Sequence, residues 1–289
     1  MARLDVRKTY KLYIGGAFPR SESGHSYEVA DAAGRFVANA SLASRKDVRD
    51  AVVAARKAFG GWSGRTAYNR GQILYRIAEV MEDRRPQFED AVRQSEGLGA
   101  AAARGQVDAA VDRLVWYAGW ADKLAQVVGN ANPVAGPFFN HTAPEPTGVV
   151  GALAPQESSL LGLVSTLAPV VVSGNVAVVV SSYGRPLPAV TFAEVLATSD
   201  VPGGVVNILT GDATVLGPWL AGHMDVNAID LVGVAGHPDL AGELEVAAAD
   251  NLKRVRRAPA AEPDWSIEPG LEPMTAFLEH KTVWHPVGV

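Results

Sequence analysis

The chain contains no cysteine. That excludes disulfide bonds, thiolate metal sites and a cysteine nucleophile, and it says little about compartment. Long hydrophobic runs are missing too. The best candidate, residues 160–172, falls short of the ~18 apolar residues that span a bilayer and is interrupted by Ser165, Thr166 and Pro169. Residues 1–10 alternate charged and apolar side chains and lack the apolar centre of a signal peptide. Positive charge is in deficit, with 26 Lys and Arg against 31 Asp and Glu for a net charge of −5. This argues against nucleic acid or an acidic membrane as a general partner. The histidines at 25, 141, 223, 237, 280 and 285 show no metal-ligand spacing and read as surface or turn residues. Together these absences point to a soluble, cytoplasmic protein without a metal.

What is present suits a protein with a real core. The 289 residues hold one large domain or two modest ones, and 48% are hydrophobic against 20% charged. Leu12-Tyr13-Ile14-Gly15-Gly16 reads as a short strand ending in a glycine turn, part of a strand pair near the start. Ser44, three residues before Asp47, is a helix start. Behind it Val48, Ala51, Val52, Ala55 and Phe59 fall at helical spacing, so one face is buried. Ile73, Leu74, Ile77, Val80 and Met81 mark a second helix. A third is expected over about 102–124, with Val107, Val111, Leu114, Val115 and Ala118 inward.

Residues 127–147 read as an extended, projecting hairpin. From 148 the rhythm changes. Apolar runs at 148–153, 176–180, 205–209 and 228–232 suit strands buried on both faces of a parallel sheet. Helical segments at 160–173, 187–198, 214–223 and 238–251 separate them. Such alternation implies a doubly wound α/β layer, with any ligand at the C-terminal strand ends. Residues 256–263 look like a linker. Arg256 and Arg257 suit a chain end that meets solvent, and Lys253, Arg254, Arg256 and Arg257 read as a solvated basic cluster. Glu279 to Trp284 reads as a strand with no neighbour in sequence.

Several motifs stand in a telling order: Glu145-Pro146-Thr147-Gly148-Val149-Val150-Gly151, then Asn175 to Val180, Pro202-Gly203-Gly204-Val205-Val206-Asn207, Asn251-Leu252-Lys253-Arg254-Val255, and finally Glu279-His280-Lys281-Thr282-Val283-Trp284. In that order the chain resembles an aldehyde dehydrogenase, with the cofactor-binding half and the C-terminal oligomerisation strand present and the catalytic domain between them missing. The resemblance implies an aldehyde dehydrogenase-type Rossmann-like fold: residues 1–126 its helical part, 127–147 an oligomerisation hairpin, 148–258 the α/β core, and 259–289 a linker with the C-terminal strand.

The same resemblance implies that the site chemistry is gone. Where the family has an oxyanion-holding Asn after its first strand, this chain has Glu157, an acceptor in place of a donor. Where the family grips the adenosine ribose with Lys and Glu, Val180 and Tyr183 stand. Where it has a hydroxyl facing the pyrophosphate, Val234 stands, beside a surviving Gly233. The general-base Glu matches Ala258. Gly211 and Gly233, with helix N-termini, are what remains for a cofactor, so NAD(P) is the cofactor if there is one and none is the expectation. Glu157 beside Ser158 and Ser159 reads as polar filling of a vacated pocket rather than a base and nucleophile. Residues 279–284 either fold back on the chain's own hairpin or add to a full-length relative, the second being favoured. The expected role is a non-catalytic subunit that assembles with a full-length aldehyde dehydrogenase as a hetero-oligomer. The alternatives are an NAD(P)-binding oxidoreductase active on aldehydes only within a complex, or a weak dinucleotide-binding module.

Overall fold

In the computed structural model, which describes residues 8–288, the chain opens with a small sheet. Strands β1 (Thr9–Tyr10), β2 (Ser26–Ala30) and β3 (Phe36–Ser41) lie in the order β1-β3-β2. The strand expected at Leu12 to Gly16 shrinks to isolated bridges from Tyr13 to Ile208 and from Ile14 to Ala17. The reason is that Gly15 and Gly16 both take positive φ, +62° and +86°, and turn the chain back at once.

Helix α1 (Arg45–Ser63) begins where the sequence signals it. Ser44 Oγ accepts the Lys46 and Asp47 N–H groups, and the Asp47 carboxylate accepts Ser44 N–H at 2.8 Å. Helices α2 (Ala67–Asp83), α3 (Arg85–Glu96), α4 (Ala100–Trp120) and α5 (Leu124–Val128) follow. Three readings of the sequence need correction here. Helix α3 was not foreseen, because its apolar face is only Phe88, Ala91 and Val92 among charged residues. Val115, expected inward, is 40% exposed. The seam of α4 runs instead through Ala103, Val107, Ala110, Leu114 and Tyr117, at alternating steps of four and three that alanines make hard to see. Val127 and Val128 close α5 rather than extend a hairpin. The hairpin proper is β4 (Asn130–Asn132) and β5 (Phe138–Pro146).

The apolar runs become a five-stranded parallel sheet. Its strands are β6 (Val149–Leu153), β7 (Val176–Val180), β8 (Val206–Leu209), β9 (Ala228–Asp230) and β10 (Arg254–Arg256), in the order β10-β9-β6-β7-β8. Helices α6 (Leu161–Val172) and α7 (Leu187–Leu196) cover one face, and α1 and α8 (Ala213–Ala221) the other, with α9 (Pro238–Ala249) beside α8. Every residue of β6, β7 and α6 is buried. Each valine so enclosed contributes roughly 1.5–3 kcal/mol relative to exposure. From β6 the chain winds outward through β7 and β8, then crosses back to β9 on the other side of β6. The switch point therefore lies between β6 and β9.

After β10 the chain returns across α6 through α10 (Glu272–Thr275) and ends in β11 (Leu278–Pro286). β11 pairs antiparallel with β5 in continuous register, from Leu278 opposite Pro146 to Pro286 opposite Phe138. One edge of the terminal strand is thus taken by the chain's own hairpin. In the order β11-β5-β4 its other edge has no partner among the described residues. Arg254 holds Glu279 with two bonds of 2.7 and 2.6 Å. Among the described residues no helix is long and apolar enough to cross a membrane.

Asn175 joins these parts. It is fully buried, its Oδ1 accepts Gly148 N–H at 2.8 Å, and its Nδ2 donates to Ser173 Oγ at 3.1 Å and to the Phe277 carbonyl at 3.0 Å. One amide therefore ties the start of β6 and the end of α6 to the returning C-terminal segment. Asn175→Ala orphans a buried donor and acceptor and is expected to lower the unfolding free energy by roughly 1–3 kcal/mol. Urea denaturation checks this; an unchanged midpoint contradicts it.

Candidate functional site

The crevice at the switch point is closed by backbone. Gly233 lies in a single 3-10 turn, Val232–Val234, after β9. A Cβ built on it would sit 2.2 Å from the Ala154 carbonyl oxygen and 2.4 Å from that of Leu153. The loops after β9 and β6 therefore touch main chain to main chain, which only glycine allows. Val234, next to it, is 2% exposed.

The loops after β6 and β7 are stitched together by side chains. Gln156 Oε1 accepts Tyr183 N–H at 3.1 Å, Gln156 Nε2 donates to the Ala154 carbonyl at 2.8 Å, and Ser182 Oγ donates to the Gln156 carbonyl at 2.9 Å. Glu157 is exposed and pairs with Arg185 at 2.7 Å. The Tyr183 ring stacks on Tyr27 of β2 with centroids 4.7 Å apart, and Tyr27 Oη donates to the Tyr183 carbonyl. Burial, with the Tyr183 phenol beside it, pushes the Tyr27 phenol above its usual range. Val180 closes β7 with no exposed surface. Glu157 and Tyr183 thus lie on the joined loops after β6 and β7, and Gly233 and Val234 in the turn after β9. Gly211 lies apart, beyond β8, where its added Cβ would meet Leu216 Cδ1 at 2.9 Å.

The residues that organise this region were not visible in the sequence. The Glu262 carboxylate accepts three successive N–H groups: Gln156 and Glu157 on Oε2, both at 3.0 Å, and Ser158 on Oε1 at 2.9 Å. Trp265 Nε1 adds a fourth bond at 3.1 Å. Glu96, at the end of α3, accepts the next amide, Ser159 N–H, at 2.7 Å and the Ser159 hydroxyl at 2.6 Å. Ser158 Oγ accepts Gly162 N–H as a helix cap. Both serine hydroxyls are therefore engaged structurally. Glu262 sits in the proline-rich stretch that reads as linker, and no short-range pattern links it to amides 104–106 positions away.

Arg113, 7% exposed on α4, holds the same stretch. It donates to Ser165 Oγ and to the carbonyls of Trp265 and Ile267 at 2.8, 2.7 and 2.9 Å. Burial lowers its affinity for the proton relative to a free guanidinium. Arg256 corrects a further expectation: it is mostly covered and turned to an ion pair. Its Nη1 lies 3.1 Å from the carboxylate of Asp230, which is 1% exposed and also accepts Val232 N–H. Complete burial pushes the Asp230 carboxyl up, and the Arg256 guanidinium opposes that rise. A buried carboxylate of this kind needs such a partner.

A dinucleotide placed at these strand ends finds few partners. The hollow beside the start of α9, about 470 Å³, is walled by Val234, Gly236, Pro238 and Ala258, with His237 and Glu245 its polar members. Pro238 removes one N–H from that helix start, and Asp239 adds negative charge to the first turn. The free N–H groups ahead of α6 are held by Glu262 and Glu96. These residues do not fit the phosphates and ribose of NAD(P). Among the described residues no group of three or more metal-capable side chains occurs.

The tight contact at Gly233 is directly testable. Gly233→Ala forces a methyl into the β6 carbonyls and is expected to destabilise the fold by about 1–3 kcal/mol or more. Thermal and urea unfolding read this; an unaffected Gly233→Ala protein contradicts the closed crevice.

Comparison with known proteins agrees with this architecture. The model of the aldehyde dehydrogenase family matches residues 18–257. Cytosolic aldehyde dehydrogenase 1 of Elephantulus edwardii is 34% identical over 253 residues, covering 85% of this chain and 49% of that protein. An aldehyde dehydrogenase of Davidiella tassiana is 32% identical over 248 residues, covering 84% and 49%. The crystal structure of PnpE from Pseudomonas sp. WBC-3 superposes with a TM-score of 0.81 at 28% identity, covering 86% of this chain and 50% of that one. PnpE has also been solved in complex with nicotinamide adenine dinucleotide. By descent and by fold this chain belongs to the aldehyde dehydrogenase family, whose members are NAD(P)-dependent, and it spans about half the length of the curated relatives it matches.

Proposed function

We propose that this chain acts as a non-catalytic aldehyde dehydrogenase-like subunit that assembles with a full-length aldehyde dehydrogenase in the cytoplasm. The observation that carries the proposal is the free edge of β11. That strand is exposed from Glu279 to Pro286, and its sheet has only three strands. An open edge of this length is a template for a strand from another chain. Phe138, Phe139 and Trp284, all exposed, cluster at the tip of the same sheet, with Phe138 and Trp284 rings 5.8 Å apart. Exposed aromatics of this kind mark contact surfaces.

The lost chemistry supports the same reading. The chain has no cysteine to form a thiohemiacetal, Glu157 offers no donor to an oxyanion, and Ala258 cannot take a proton. The role left is to shape a partner's assembly. The likeness to PnpE, solved with its dinucleotide, favours the second reading, an NAD(P)-holding member of a shared oxidoreductase. The apolar hollow beside α9 weighs against it.

The test is co-expression with a full-length aldehyde dehydrogenase from the same genome, followed by light scattering and mass spectrometry on the purified complex. A truncation after Leu278 keeps the Phe277 carbonyl that Thr147 and Asn175 need. The intact chain is expected to form a defined hetero-oligomer and the truncated chain to elute alone. The isolated chain is expected to give no aldehyde-dependent NADH. An intact chain that stays free of the partner, or aldehyde turnover by the chain alone, contradicts the proposal.

A further inference from the structure

The N-terminus of α6 presents an unusual demand. All 12 residues of the helix are buried, and the residue at its N-terminal boundary, Leu160, has no side chain to cap it. The N–H groups of residues 156–159 lie just ahead of this helix, where its dipole adds positive potential. In such surroundings a set of converging amides selects an anion. Two carboxylates answer: Glu96 takes the Ser159 amide, and Glu262 takes the other three.

The two carboxylates are held differently. Glu96 is the last residue of a helix. Glu262 stands in a segment without regular structure, fixed by its own bonds, by the Trp265 indole, and by the Arg113 grip on the Trp265 and Ile267 carbonyls. None of the Arg113 acceptors is a carboxylate, so the grip orients the segment without neutralising Glu262.

We infer that residues 156–158 form an anion-binding nest whose ligand is supplied from within: the Glu262 carboxylate is a built-in ligand, and residues 258–271 are the strap that delivers it. The nest takes a carboxylate or a phosphate oxygen, and the strap keeps external anions out. This inference stands whether or not the chain assembles with a partner.

Removal of the internal ligand is the test, with a small carboxylate as the replacement. In Glu262→Ala, hydrogen exchange at the 156–158 amides is expected to accelerate about tenfold or more, because charge-assisted bonds to three N–H groups are lost together. Sodium acetate is expected to raise the melting temperature of Glu262→Ala saturably over sodium chloride at equal ionic strength. Wild type is expected to show no such difference. Inorganic phosphate, tried in the same way, distinguishes a carboxylate-only nest from a general anion nest, both of which support the inference. Glu262→Gln, which keeps the shape and one acceptor oxygen but loses the charge, serves if Glu262→Ala fails to fold, and faster exchange at the 156–158 amides is expected of it. Amides 156–158 that exchange at the wild-type rate overturn the inference. So does acetate that shifts wild type and variant alike, because Glu262 then serves only as packing.

Discussion

The N–H groups of residues 156–159, on the loop that leads into a wholly buried helix, have to be satisfied, and in this protein that constraint governs the strand ends at the switch point. Helix α6 runs beneath the sheet with every residue enclosed. The amides of the loop just ahead of it, residues 156–159, are answered by carboxylates from α3 and from the segment that follows β10. The second of these explains how the returning chain is positioned. Glu262 brings residues 258–271 across the strand ends, Arg113 holds their carbonyls, and Trp265, Leu271 and Ala276 pack on the core. The segment then leads into Met274, Phe277 and Leu278, all buried, and into β11. A part of the α/β layer's surface is thereby covered by the chain itself.

The same arrangement gives substance to the family comparison. The relatives are about twice as long over the matched region's context, since the match takes up 49–50% of their length. What is shared is the fold; in this chain Gly233 allows main-chain contact at the switch point. Val180 and Val234 are buried, Tyr183 stacks on Tyr27, and Glu157 is paired with Arg185. These four side chains are buried or engaged with neighbouring parts of the fold.

Much of the fold was legible in the sequence because it rests on local or strongly periodic signals. The four valine-rich runs, the Ser44–Asp47 capping box and the terminal strand all appear close to where the residues indicate. The failures have physical causes. The small apolar face of α3 carried too little pattern, and the alanine seam of α4 hid its true register behind Val115. Arg256 read as a solvent-facing charge because its partner, Asp230, looked like the end of an apolar strand. The site was least legible. The loss of polar contacts could be read from Glu157, Val180, Tyr183 and Val234, but their replacement by Glu262 depends on a contact across more than a hundred residues, for which no short motif exists.

The central claim is that the chain's own residues close the crevice at the switch point against a dinucleotide. Isothermal titration of the intact protein with NAD and with NADP, carried to millimolar concentration, tests it most directly. The account requires no saturable heat with either. A stoichiometric binding isotherm with either dinucleotide would contradict it.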